Sequence, residues 1–191
     1  MENQLKLYML MIGCKPVGRF TEQHDIFFGI APSMSDLIPQ VKAFWPEAKG
    51  DIHIDAWRAV TFADGYKVEI IPKRQHEHDT QVLFFINLGG YKPDEFEEYH
   101  YKIITVADSL SEATKTAKRT TFYKHFGFKG ATSHIDDKYG IDVDDAYKVE
   151  EMLSPLIKEN YSINLKADAN VTEDELHIGY LTLRKMATLN Q

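Results

Sequence analysis

The feature that most constrains this chain is a segment that the sequence contains twice. Adding 76 to the numbers of residues 22–31 gives residues 98–107, where Glu, His and Ala stand at the same places among apolar residues. The same offset also aligns several residues outside this segment, namely Gly13 with Gly89, Phe20 with Phe96 and Lys42 with Lys118. Further along, an offset of 81 aligns residues 53–55 with 134–136, both His-Ile-Asp. The sequence therefore predicts an internal duplication.

The first copy has alternating signals for strands and a helix. Apolar runs of strand length cover residues 5–12 and 24–31, and an amphipathic helix follows that begins near Ser33 or Ser35. A third strand lies in residues 51–60, and Asp64-Gly65 then marks a hairpin turn because this dipeptide accepts positive φ angles. Each copy is thus predicted as a strand-strand-helix-strand-strand unit. We expect an α+β fold with antiparallel sheets and the helices on one face.

The second copy predicts the same unit with local differences. Its helix begins at Ser109, with Glu112 completing a capping box, and is expected to continue through residue 123. About five extra residues near 125–133 account for the change of offset, and Asp145-Ala146 replaces Asp64-Gly65, which predicts a different turn.

These signals divide the chain into four parts: a first repeat in residues 1–72, a linker in 73–79, a second repeat in 80–153, and a C-terminal β extension in 154–191. The extension contains strand signals without a counterpart in the first copy. We expect it to pack on the second repeat.

The charge pattern disfavours nucleic acid as a partner. The 191-residue chain has a net charge of −7, and no basic run exceeds Lys73-Arg74. A single cysteine, Cys14, excludes an intramolecular disulfide and favours the cytoplasm. No apolar run approaches the roughly 20 residues that a membrane helix needs, so we expect no membrane partner.

Two short motifs carry the chemistry that the sequence offers. Glu-x-His occurs as Glu22/His24 and Glu98/His100, and His-x-Asp occurs as His53/Asp55 and His134/Asp136. Residues i and i+2 of a strand share a face, so each motif places a carboxylate beside an imidazole. If the two strands of one copy approach each other, two His and two carboxylates form a cluster that suits Zn or Fe.

Three interpretations of these motifs remain open. The pairs could be structural, because a buried His needs a partner for its N–H and a carboxylate is a common one. They could bind a ligand or a divalent metal, or they could act directly in catalysis with the carboxylate raising the basicity of the imidazole. Cys14 is a weaker nucleophile candidate beside His24, since only Lys15 is near it in sequence to lower its pKa.

The loops after the first strand of each copy differ in charge. The first copy offers Lys15 and Arg19, whereas residues 94–98 of the second copy contain four carboxylates. Complementary loops of this kind could mediate homo-oligomer formation or bind an anionic ligand at the first copy.

The first copy resembles a small bacterial family catalogued as domain of unknown function 1543. The residues that carry the resemblance are 22–29 (EQHDIFFG), 37–39 (LIP), 44–46 (FWP) and 53–57 (HIDAW). Residues 134–140 look like a weaker form of the same unit, so the chain resembles two tandem copies of the family's repeat. The resemblance implies a cytoplasmic bacterial protein and no particular chemistry.

Three functions are consistent with the sequence, which leaves open whether the protein is an enzyme. The first is a non-catalytic module that binds a small ligand or a protein partner. The second is a metal-dependent, hydrolase-like enzyme that uses the paired His and carboxylate motifs. The third is a structural protein that self-associates through sheet edges.

Overall fold

A computed structural model describes residues 4–75, 80–91, 94–119, 142–170 and 172–189. The chain forms two compact units, the first from residues 1–77 with 152–191 and the second from residues 78–151. The described strands are β1 (Lys6–Cys14), β2 (Gln23–Ala31), β3 (His53–Val60), β4 (Phe62–Ala63), β5 (Tyr66–Pro72), β6 (Val82–Tyr91), β7 (Glu98–Ala107), β8 (Asp142–Lys148), β9 (Tyr161–Ala167) and β10 (His177–Thr182). The described α-helices are α1 (Ile38–Phe44), α2 (Leu110–Lys118), α3 (Val149–Met152), α4 (Pro155–Asn160) and α5 (Leu183–Met186). The predicted α+β fold with antiparallel sheets is confirmed.

The first unit is built around a four-stranded antiparallel sheet in the order β10-β3-β1-β2. One face carries Leu10, Ile12 and Ile54, which are fully buried against side chains that include Leu37 and Val41 from the helical segment. That segment starts as a 3-10 turn at Ser35–Leu37 and continues as α1, whose second residue is Pro39. A proline costs little there because its missing N–H lies in the first turn, where no intrahelical acceptor exists.

A second sheet of the first unit has the order β4-β5-β9. Asp64 and Gly65 connect β4 to β5 with φ angles of 48° and 83°, which confirms the predicted hairpin turn. At the preceding corner the carboxylate of Asp174 accepts hydrogen bonds from the backbone N–H groups of Thr61 and Phe62 and from the Thr61 hydroxyl. This contact ties the segment before β10 to the end of β3.

The two ion pairs of Glu69, one within β5 and one with β9, lead to a pH prediction. Hydrogen bonds from Lys166 (2.7 Å) and Lys67 (2.9 Å) lower the pKa of Glu69 from 4.5 to about 2. A lowered folded-state pKa adds stability that is present above pH 4.5 and is lost as the pH falls towards 2. Over this pH range we expect the unfolding free energy of the native chain to fall by about 1 kcal/mol more than that of Glu69→Gln. The difference is no larger because solvent screens the interaction of Glu69 with the two lysines. Urea denaturation at pH 6, 4 and 2.5 measures this, and parallel pH profiles would contradict it.

The second unit contains a three-stranded antiparallel sheet in the order β7-β6-β8, with α2 beside it. Ser109 caps α2 by accepting a hydrogen bond from the Glu112 N–H, as the capping signal predicts. The helix ends at Lys118, and its predicted continuation through residue 123 lies outside the described residues, as does the predicted insertion near 125–133.

The register of β6 and β7 repeats that of β1 and β2. Gly13 is paired with His24 and Gly89 with His100, and the same offset of 76 relates every pair between Lys6↔Ala31 and Cys14↔Gln23 to a pair of β6 and β7. The sequence alignment of residues 22–31 with 98–107 is therefore also an alignment of backbone positions. The duplication itself stays a prediction of the sequence.

Two sequence predictions about the second half of the chain are wrong. Asp145 and Ala146 lie inside strand β8, paired with Asn87 and Ile86, and do not form a turn. The C-terminal extension was expected on the second repeat, but its strands belong to the first unit, since β9 pairs with β5 and β10 pairs with β3. Open strand edges of β3 and β5 supply the unpaired backbone groups that β10 and β9 satisfy.

Candidate metal centre

The structure brings Glu22, His24, His53 and Asp55 together at one end of the four-stranded sheet. Strand β2 carries His24, with Glu22 just before its first residue, and β3 carries His53 and Asp55. Between them runs β1, where Gly13 is paired with His24 on one side and His53 on the other. The two motifs, whose approach the sequence left open, therefore meet across a glycine.

Gly13 is required by the space that the cluster occupies. A Cβ atom at this position would lie 2.5 Å from His53 Nε2 and 2.9 Å from Asp55 Oδ2. The side chains thus extend over the central strand at the one residue that has no side chain of its own.

A β-bulge sets the position of Asp55. Strand β1 pairs Ile12 with Ile54 and Met11 with Ala56, so Asp55 is an extra residue on β3. Bulges of this kind redirect a side chain next to a site. As a result Asp55 Oδ2 lies 3.3 Å from the Nε2 atoms of both His24 and His53.

The remaining distances close the cluster. Glu22 Oε1 is 3.0 Å from His53 Nε2, and Glu22 Oε2 is 3.7 Å from His24 Nε2. One donor atom each from Glu22, His24 and His53 lies within 4.8 Å of the others. Both histidines therefore present the same ring nitrogen, Nε2, to the two carboxylates.

Burial is graded across the cluster. The His53 side chain is 8% exposed, whereas those of His24 and Glu22 are 44% and 46% exposed. Among the described residues, neither His53 Nε2 nor Asp55 Oδ2 has a hydrogen-bond partner of acceptable geometry, although both atoms are buried. Buried polar atoms without such partners are rare and mark positions where a ligand or ion completes the contacts.

Tyr180 covers the buried histidine and was not found by sequence reasoning. Its ring stacks on the imidazole of His53 with centroids 4.5 Å apart. Strand β10 is itself irregular here, since Ile178 is paired with Ala56 and Leu181 with Ile54, so that Tyr180 lies opposite the bulge at Asp55. No signal in the first repeat points to a residue of the C-terminal extension.

The second unit has a related cluster, which contains the predicted Glu98 and His100 together with Asp144, which was not predicted. His100 Nε2 lies 3.9 Å from Glu98 Oε2 and 3.3 Å from Asp144 Oδ2. Asp144 is the bulged residue of β8, because β6 pairs Leu88 with Val143 and Asn87 with Asp145. The structural counterpart of Asp55 is therefore Asp144, and the alignment with Asp136 is wrong in this respect. His134 and Asp136 lie outside the described residues.

Asp144 carries a signal that the sequence alignment did not use. The tripeptide 142–144 (Asp-Val-Asp) has the pattern of residues 53–55 (His-Ile-Asp), with a carboxylate replacing the first imidazole. Residues 134–136 match residues 53–55 more closely in sequence and therefore give the better sequence alignment. Only strand pairing distinguishes the two alignments.

Cys14 does not have the environment of a nucleophile. It is buried in the core, and burial together with the negative charges of Asp51 and Glu22 raises the pKa of its thiol. A raised pKa disfavours the reactive thiolate. Cys14 is thus a packing residue of β1.

Comparisons with known proteins find a solved structure with a similar fold and a family model that matches part of the chain. A crystal structure of a protein Il1583 from Idiomarina loihiensis is similar to this chain with a TM-score of 0.62 at 23% identity, covering 94% of this chain and 98% of that chain. No curated protein sequence matches the chain. Among the described residues, no helix is long and apolar enough to cross a membrane. Residues 19–70, which contain all four members of the first cluster, match the family model described as Domain of Unknown Function (DUF1543).

Proposed function

We propose that the first unit binds one divalent transition-metal ion through Glu22, His24, His53 and Asp55. The observation that supports this is the pair of buried atoms, His53 Nε2 and Asp55 Oδ2, that face the other two side chains without hydrogen bonds of acceptable geometry among the described residues. Two imidazoles and two carboxylates are a donor set that suits Zn²⁺ or Fe²⁺. On this proposal the protein is a ligand-binding protein, and the metal ion is its small ligand.

The charge of the cluster supports a dication. With both histidines neutral, the carboxylates of Glu22 and Asp55 give the cluster a charge of −2, part of it next to the buried His53. The Asp55 Oδ2 atom is buried, and a buried carboxylate oxygen without compensation is costly, so an ion of charge +2 stabilises the cluster.

Partial exposure supports a second candidate, a metal-dependent hydrolase. Glu22, His24 and His53 form a two-His, one-carboxylate set, and the first two are open to solvent. Catalytic zinc sites use three protein ligands and leave the fourth position to water. In that arrangement Asp55 would accept a proton from the bound water. A coordination shell of three protein donors and one water, measured by X-ray absorption, favours this candidate over four-donor binding.

Metal content tests the proposal. We expect the purified untagged chain to contain or take up about one Zn²⁺ or Fe²⁺ per molecule, and His24→Ala/His53→Ala to bind it at least tenfold more weakly, since even outer-shell losses cost about 10–100-fold. Elemental analysis after dialysis and calorimetric titration measure both quantities.

The matched control is His177→Ala. His177 also lies near a carboxylate, 3.6 Å from Glu175, but not in a group of three donors among the described residues. It should leave metal content unchanged. Equal metal binding by the native chain and the double variant would refute the site, and a native chain that binds neither ion would make the cluster a structural set of polar pairs.

A further inference from the structure

The second unit repeats the backbone of the first cluster but changes its donors. We propose that Glu98, His100 and Asp144 form a separate, oxygen-rich cation site that binds Mn²⁺. The donor atoms of these three residues lie within 4.8 Å of one another. The inference goes beyond the proposed function of the first unit and does not require a metal there.

The backbone beneath this group is built as in the first unit. Gly89 is paired with His100, and a Cβ on Gly89 would lie 2.1 Å from Asp144 Oδ2. A glycine and a bulged aspartate therefore recur together, on β6 and β8. An ordinary His–Asp ion pair requires neither the glycine nor the bulge, whereas convergence of three side chains over a central strand requires both.

One residue that differs between the two units replaces sulfur with oxygen. Asn87, two residues before Gly89 on the same face, stands where the first unit has Met11.

The side chain of Asn87 is itself incompletely satisfied. Its amide nitrogen donates to Asp145 Oδ2 at 3.4 Å, while its buried carbonyl oxygen has no hydrogen-bond partner among the described residues. Carboxylate and carbonyl oxygens are the donors that Mn²⁺, Mg²⁺ and Ca²⁺ prefer, and one imidazole shifts that preference towards Mn²⁺.

The nearby charges are compatible with a cation that exchanges with solvent. Asp94, Glu95 and Glu97 lie exposed in the connection that leads to Glu98, where the first unit has Lys15 and Arg19. The side chains of Glu98, His100 and Asp144 are 41%, 35% and 32% exposed. Solvent competes for such donors, so the site should be weaker than that of the first unit.

Lys102 opposes cation binding in part. It is paired with Asn87, and therefore lies on the same face as the site, and its ammonium donates to the backbone oxygen of His100 at 3.5 Å. This residue is a second reason to expect modest affinity.

Titration of the full-length chain with Mn²⁺, followed by electron paramagnetic resonance, tests the inference. In a His24→Ala/His53→Ala background, which removes the first cluster, we expect one Mn²⁺ to bind. Adding His100→Ala/Asp144→Asn should weaken that binding by more than about tenfold. Glu112→Gln is the control, because it also removes one negative charge from the second unit at an exposed position on α2.

The outcomes separate the two sites. Mn²⁺ binding that survives His100→Ala/Asp144→Asn, or that Glu112→Gln weakens equally, would overturn the inference, as would a background variant that binds no Mn²⁺. If the combined variant does not fold, Glu98→Gln alone in the otherwise native chain gives the same comparison at an exposed position. Loss of Zn²⁺ in His24→Ala/His53→Ala concerns only the first unit and leaves this inference untouched.

Discussion

Gly13→Ala is expected to lower the Zn²⁺ affinity of the first unit by more than about tenfold while every proposed ligand remains in place. The new Cβ would lie 2.5 Å from His53 Nε2, so the imidazole must move. Because His53 is confined by the stacked Tyr180 ring, it cannot move without leaving its position beside Glu22 and Asp55. The atoms displaced are side-chain tips rather than backbone, so we expect a loss of only about 1–2 kcal/mol in unfolding free energy.

Calorimetric titration with Zn²⁺ and urea denaturation measure these two effects separately. Gly89→Ala is the matched control, since it makes the same change at the same register position of the second unit. It should leave Zn²⁺ binding by the first unit intact. Native affinity in Gly13→Ala would show that the close approach over β1 plays no part in metal binding.

Asp174→Ala is expected to lower the unfolding free energy of the first unit by about 3 kcal/mol. One carboxylate accepts hydrogen bonds from Thr61 N, Phe62 N and the Thr61 hydroxyl, and alanine accepts none of them. The loss includes the cost of leaving partly buried donors without an acceptor. Sequence patterns do not identify Asp174, because its partners precede it by more than 110 residues.

The same substitution should also affect the metal centre. Asp174 holds the segment that leads into β10, and β10 carries the Tyr180 ring onto His53. We therefore expect weaker Zn²⁺ binding together with the lower stability. Glu173→Gln, a neighbouring exposed carboxylate, is the control and should change neither. An unchanged urea midpoint for Asp174→Ala would contradict the assigned role.

Several features of the fold follow from local rules that the sequence contains. Asp64-Gly65 predicts the hairpin because few other dipeptides accept two positive φ angles, and Ser109 predicts the start of α2 because its hydroxyl satisfies a free N–H. The rule that alternate residues of a strand share a face predicted Glu22 beside His24 and His53 beside Asp55, but it left open whether the two pairs meet.

Strand register and the pairing of strands that are distant in the sequence became evident only from the tertiary structure. The sequence was sufficient to predict the residue types of the cluster and the equivalence of Gly13 and Gly89. It did not determine that Asp144 rather than Asp136 takes the place of Asp55, because residues 134–136 match residues 53–55 more closely in sequence and only strand pairing puts Asp144 beside β6 as Asp55 lies beside β1. Nor did it place β10 and Tyr180 on the first unit, because backbone hydrogen bonds along an open edge are the same for every sequence. Local chemistry therefore specified which side chains could form a site, and tertiary pairing specified which of them met.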